Sequence, residues 1–196
     1  VFGLTPGEQI VSMLPMAHMY GLAFEFIYEF ASGMHIHFLS RTPSPKIIAD
    51  AFAEVKPNLI ITVPLVIEKI IKKRIFPTIE KPHMKILMNI PIINDKIRDT
   101  IRQKVIQAFG GKFKELIVGG AALNKEVESF LRSIRFPYTV GYGMTEAAPR
   151  ISMGRLPKRI QRGYAGKLLK GIKAQSCNGE IKIKSPALAC GYIGEA

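Results

Sequence analysis

The sequence predicts an α/β protein: a layered αβα body around a largely parallel sheet, followed by the start of a small antiparallel β subdomain. Two observations carry this. Between residues 10 and 141, short branched apolar runs alternate with helical patterns, the order of a parallel sheet with helical crossovers. After about residue 160 the texture changes to runs such as "GIKAQ" (171–175) and "EIKIK" (180–184), where apolar and basic residues alternate between Gly and Asn turns. The expected division is 1–155 for the α/β body and 156–196 for the partial β subdomain.

Each element follows from its residues. Ile10 to Leu14 is an apolar run stopped by Pro15, a buried strand. Residues 19–31 read as a buried helix, and His35 to Leu39 as a second strand. Within it, "HIH" (35–37) sets both imidazoles on one face, a structural arrangement rather than a ligand pair. Ser44-Pro45 is a helix start, with Ser as N-cap and Pro in the first turn. Ile47, Ile48, Ala51, Phe52 and Val55 form its apolar face, and Pro57-Asn58 ends it. Leu59 to Val63 is a strand, and Pro64 opens a helix with Leu65, Ile67, Ile70 and Ile71 as its apolar positions. Prolines at 77, 82 and 91 mark residues 75–92 as a surface connection. Residues 94–109 carry Ile97, Ile101, Val105 and Phe109 on one face, and Gly110-Gly111 closes that helix. Leu116 to Val118 is a strand leading to Gly119-Gly120-Ala121-Ala122. Asn124 caps a helix bearing Val127, Phe130, Leu131 and Ile134. Pro137 to Val140 is the strand that leads into "GYGMTEAA".

Composition narrows the classes. Of 196 residues, 47% are hydrophobic, which supports a packed core and excludes disorder. No stretch of 18 residues is apolar and uncharged, so no spanning helix is expected. With 28 basic and 15 acidic residues the formal charge is +13, which favours anionic partners. The runs "KIIKKR" (69–74) and "RLPKRIQR" (155–162) suit a solvated face, CoA phosphates or anionic lipid. Cys177 and Cys190 make neither a disulfide framework nor a zinc site, which suits a reducing, cytoplasmic compartment. Peripheral association with an anionic membrane stays open. The chain starts at Val1 without a signal pattern and stops without a closing element, so it reads as a piece of a longer protein.

In open α/β sheets, ligands bind beyond the carboxyl ends of the strands. Two strands here end in glycine turns, "ELIVGGAAL" and "YTVGYGMTE". Glycine admits a ligand close to the backbone. The first turn offers N–H and C=O groups to a base edge. The second offers a ring at Tyr142 for stacking, a hydroxyl at Thr145 for a phosphate oxygen and a carboxylate at Glu146 for Mg²⁺. Both also fit ordinary tight connections. No Walker A pattern, Ser-His-Asp set or metal cluster can be assembled.

Four segments then carry a resemblance: "LPMAHMYGL" (14–22), "LIVGGAALNKEV" (116–127), "GYGMTEAAP" (141–149) and "GEIKIKSPALACGYIGEA" (179–196). In this order, over nearly the whole chain, they resemble the AMP-forming acyl-CoA synthetases of the adenylate-forming superfamily, most of all long-chain fatty acid–CoA ligases. The resemblance implies that Gly119, Gly120 and Ala121 lie beside adenine and acyl group, with Tyr142 stacked on adenine between Gly141 and Gly143. It places Met144 near the acyl carboxyl, Thr145 on a nucleotide phosphate and Glu146 on Mg²⁺. His18 and Gly21, with Gly120 and Met144, border the acyl site. Substrates would be a fatty acid, ATP and CoA. A medium-chain or aryl acid is the alternative within the superfamily. Outside it stands a basic α/β module for nucleic acid or anionic membrane, supported by charge alone; with the ligase reading, no nucleic acid is expected. Ala122 stands where the family usually has proline. The Ser/Thr/Gly-rich phosphate loop with its lysine, the "GD" aspartate and the C-terminal lid lie outside this sequence. The 196-residue polypeptide by itself is therefore expected not to activate a fatty acid.

Overall fold

A computed structural model describes residues 3–79, 91–155 and 163–194. Its main sheet has seven strands in the order β2-β1-β3-β4-β5-β6-β7. They are β1 Gln9–Ser12, β2 His35–Phe38, β3 Leu59–Thr62, β4 Glu115–Val118, β5 Thr139–Tyr142, β6 Ser152–Arg155 and β7 Lys167–Leu168. The first five pair in parallel, and β6 and β7 add antiparallel edges. A separate antiparallel hairpin joins β8 Lys173–Cys177 to β9 Glu180–Lys184. The α/β class with a largely parallel sheet is what the alternating pattern implied.

The central strands β3 and β4 are buried along their whole length because both faces of the sheet are covered there. Ile10, Leu59, Ile61 and Ile117 point to one side, where Met34, Tyr20 and Phe24 pack. Val11, Ile60, Leu116 and Val118 point to the other, against Ile48, Phe52, Ile67, Ile70, Val105, Phe109, Val127 and Leu131. Period two along each strand thus divides one apolar run between two cores. Helix α1 lies on the first side and comprises Met19–Gly21, a π-helical stretch Leu22–Ile27, and Tyr28–Ala31. The second side carries α2 Pro45–Val55, α3 (Pro64–Ile70, π-helical Ile71–Ile75, Phe76–Ile79), α4 Pro91–Ala108 and α5 Lys125–Ser133. The expected caps are made: Ser44 Oγ accepts from the Ile47 N–H at 3.3 Å, and Asn124 Oδ1 accepts from the Glu126 N–H at 2.9 Å.

Several local expectations need correction. Helix α1 is not buried all round: Phe26, Ile27 and Phe30 are exposed, while Glu25 and Glu29 are fully buried. β2 is an edge strand with both histidines exposed, and the His37 ring pairs with Gln9 at 2.9 Å. α3 continues to Ile79, into the span expected to be connection, because Ile71 and Ile75 still find the core. The rest of that connection lies outside the described residues, as does "RLPKRIQR" beyond Arg155. Lys69, Lys72, Lys73 and Arg74 form a solvated face, where Lys72 meets Glu126 at 3.3 Å. Phe113, set between Lys112 and Lys114, packs on Phe109 and Phe136 and is not free to stack on a base. No helix among the described residues is long and apolar enough to cross a membrane.

Candidate active site

The strand order reverses between β1 and β3, the place where open sheets leave a crevice. The segment leaving β1 crosses the carboxyl ends of β3 and β4. His18 caps α1, its Nδ1 accepting the Tyr20 N–H at 3.1 Å, so a neutral ring carries its proton on Nε2. Tyr20 donates its hydroxyl to the Thr62 carbonyl at 3.4 Å and packs edge-on against Phe24. A side chain at Gly119 would strike the Tyr20 ring at 2.9 Å, so glycine is what lets β4 and this segment touch. Gly120 takes φ +84°, turning the chain away from the sheet.

β5 runs further than the hydrophobic run suggests. Gly141 and Tyr142 belong to it, paired with Met153 and Ser152 of β6. The chain then turns at Gly143, and Thr145–Ala147 form a single 3₁₀ turn.

Two clefts flank this strand end. The first, about 140 Å³, is lined by His18, Tyr20, Phe24, Gly119, Met144 and Thr145, with Arg150 and Met153 at its far side. The second, about 370 Å³, lies between Ala121-Ala122-Leu123 and Gly163-Tyr164-Ala165, with Glu128 in its wall. Gly120, Gly141, Tyr142 and Gly143 border both. Ten of the expected site residues therefore meet at one place: His18, Gly119, Gly120, Ala121, Gly141, Tyr142, Gly143, Met144 and Thr145 line the clefts, and Glu146 adjoins them. Gly21 does not. It is buried, with the Pro15 carbonyl 2.6 Å from where a Cβ would sit, so it packs the helix onto the loop instead of lining a cleft.

Residues 1–193 match the family model described as AMP-binding enzyme. The chain belongs to this family. Long-chain-fatty-acid–CoA ligase 4 of Saccharomyces cerevisiae is 26% identical over 184 residues, covering 87% of this chain and 26% of that protein. 4-Coumarate–CoA ligase of Pinus taeda is 29% identical over 125 residues, covering 54% of this chain and 23% of that protein. Among solved structures, the O-succinylbenzoate Coenzyme A synthetase of Bacillus subtilis, in complex with ATP and magnesium ion, superposes with a TM-score of 0.67 at 19% identity. That match covers 98% of this chain and 36% of that one. The fold is thus that of adenylate-forming ligases, and the chain spans about a quarter of the curated relatives it matches.

Several residues in and around these clefts were not singled out from sequence. Tyr20 sits inside a quoted segment, but nothing in its spacing shows that it reaches Thr62. Arg150 brings a cation to the cleft that holds Thr145, and no acidic partner pairs with it among the described residues. Glu128 lies in a helix read only for its apolar face. It is buried, accepts the Gly163 N–H at 3.2 Å and pairs with Arg132 at 3.6 Å, tying α5 to the opposite cleft wall. Glu25 grips the loop after β1 from below. Its Oε2 accepts from Ser12 Oγ at 3.2 Å, the Met13 N–H at 2.9 Å and the Leu14 N–H at 2.8 Å. Burial nevertheless pushes its carboxyl up to about 7, outweighing those hydrogen bonds. Glu29, one turn on, is likewise pushed up to about 7 by burial and by the charge of Glu25.

Proposed function

We propose that this chain holds the nucleotide and acid sites of an AMP-forming acid–CoA ligase. One observation carries the reading: two clefts share a single backbone lip, Gly120 with Gly141–Gly143. A nucleotide in the larger cleft and a carboxylic acid in the smaller would meet across that lip, as transfer of an adenylyl group requires. The acid's carboxylate would attack the α-phosphate of ATP, forming the mixed anhydride and releasing pyrophosphate. The CoA thiol would then displace AMP from the acyl carbon.

In this assignment Tyr142, half exposed, offers its ring to adenine, and Gly120 and Ala121 present backbone to the base edge. Thr145 and Arg150 face the developing negative charge on phosphate or carboxyl oxygens. Met144 borders the acid. His18 lines the same cleft. Glu146 suits Mg²⁺: its carboxylate is partly exposed, and no Lys or Arg among the described residues pairs with it. A single carboxylate with phosphates and water is a usual Mg²⁺ donor set. When bound, the metal would neutralise phosphate charge.

The apolar lining from Phe24, Ile117 and Met153 and the names of the yeast relatives support a fatty acid. The smaller volume of the first cleft, about 140 Å³, and the 4-coumarate–CoA ligase among the relatives support an aryl or shorter acid as the second reading. We take residues 1–155 as the body carrying the two glycine turns, and 156–196 as the start of the β subdomain, whose Gly163-Tyr164-Ala165 close the larger cleft. The polypeptide as it stands would bind acyl-adenylate without turning over.

Thermal-shift measurements test the assignment. A non-hydrolysable acyl-adenylate analogue is expected to raise the melting temperature of the chain. Tyr142→Ala should weaken its affinity about tenfold or more, the worth of one base–aromatic stack. Equal protection of the wild type and the alanine variant would refute the stacking role. Release of pyrophosphate from ATP by the chain alone would refute the view that triphosphate handling needs residues beyond it.

A further inference from the structure

Tyr192 stands 46 residues beyond Glu146, past the β8–β9 hairpin, yet its hydroxyl donates to Glu146 Oε1 at 2.6 Å. That length is typical of a hydroxyl bonded to an ionised carboxylate. The bond also holds the Glu146 carboxyl below its ordinary range. The same segment makes a second attachment, because the Ala189 N–H donates to the Glu146 carbonyl at 2.8 Å. One residue of a three-residue turn is thus gripped through both its backbone and its side chain by one downstream strap. Packing does not explain the arrangement, since Tyr192 is 67% exposed. Its specific contact is the carboxylate.

We propose that Tyr192 is a positioning residue for Glu146. By occupying Oε1 it leaves Oε2 as the oxygen turned to a nucleotide-bound cation, and it removes rotamer freedom that binding would otherwise have to freeze. A one-oxygen carboxylate ligand matches the small, regular shell of Mg²⁺, whose other positions go to phosphate and water. The strap from β9 also makes the metal contact depend on the β subdomain being docked. This inference rests on the reading that Glu146 meets a metal–nucleotide complex.

The test separates the two. ATP affinity of the 196-residue chain is measured with EDTA and with Mn²⁺, and bound Mn²⁺ is followed by its EPR signal. Mn²⁺ is expected to strengthen ATP binding by the wild type, and Glu146→Gln to abolish that gain. Tyr192→Phe should leave affinity in EDTA within twofold and lose roughly 5- to 10-fold of the Mn²⁺-dependent gain, the net worth of one solvent-exposed hydrogen bond. The double variant should bind no more weakly than Glu146→Gln, since the tyrosine acts through that carboxylate. A full Mn²⁺ gain in Tyr192→Phe overturns the inference while the Glu146 assignment stands. Equal losses with and without metal also overturn it, because that pattern marks structural damage. A wild type without any Mn²⁺ gain removes both.

Discussion

Gly143→Ala is expected to melt well below the wild type and to lose protection by an acyl-adenylate analogue. The turn after β5 doubles back so closely that the Ile151 N–H donates to the Tyr142 carbonyl at 3.0 Å. A methyl group on Gly143 would fall onto the carbonyl of Pro149, and the Arg150 nitrogen lies only 3.0 Å from the same point. These obstacles are backbone, so no side-chain rotation relieves them. Forcing extra atoms into such a contact costs about 1–3 kcal/mol, and more where backbone must move. In a chain of this length that is about 3–10 °C in melting temperature. Ligand protection should fall further than stability, because Gly143 borders both clefts. Gly141→Ala is the control. A Cβ there meets nothing within 4 Å, so that variant should melt near the wild type. If Gly143→Ala melts and binds like Gly141→Ala, the tight turn is not what shapes the lip.

Stability should fall as pH rises from 5.5 to 8.5, an effect traced to Glu25 and Glu29. Both carboxyls are raised from an ordinary 4.5 to about 7. The folded state therefore binds more protons than the unfolded state between those values. Their contribution is fully present below about pH 4.5 and is lost as pH climbs through about 7. Glu25 fits this structurally: Oε2 takes three donors, while Oε1 is buried without a partner among the described residues and is where a proton would sit. Both Glu29 oxygens are buried in the same way. The wild type is expected to lose on the order of 2 kcal/mol over that interval, less than two independent groups would give because the pair titrates together. Glu29→Gln should flatten the profile, since it removes one titration and also the charge that couples to Glu25. Urea midpoints at the two pH values measure this. A wild-type midpoint independent of pH, or a Glu29→Gln profile as steep as the wild type, would contradict it.

The parallel body was readable because its signals are local. Ser44-Pro45, Asn124 and Gly110-Gly111 punctuate helices through their own caps, and branched runs such as Leu59 to Val63 need no distant partner to be recognised. The edges were less readable. β6 and β7 exist because they pair with β5 and with each other, and nothing in "ISMGR" or "GKLLK" marks that pairing in advance. Helix α1 misled for a related reason. Its Phe, Ile and Tyr content reads as core, but Glu25 points inward because the N–H groups of Met13 and Leu14 bind it, a choice made by a loop eleven or more residues away.

The candidate site divides the same way. The order and type of its chemical groups are properties of the sequence: two glycine turns after strands, then Tyr142, Thr145 and Glu146 in one short stretch, with His18 upstream. Four segments in family order were enough to place the chain among AMP-binding enzymes. That Gly119 touches Tyr20, that Arg150 enters the smaller cleft, that Gly21 packs instead of lining it, and that Tyr192 reaches Glu146 were decided only by tertiary structure. Each joins residues brought together by sheet pairing or by a returning strap. Period and propensity describe the chain along itself, whereas a cleft is made by what lies across from it.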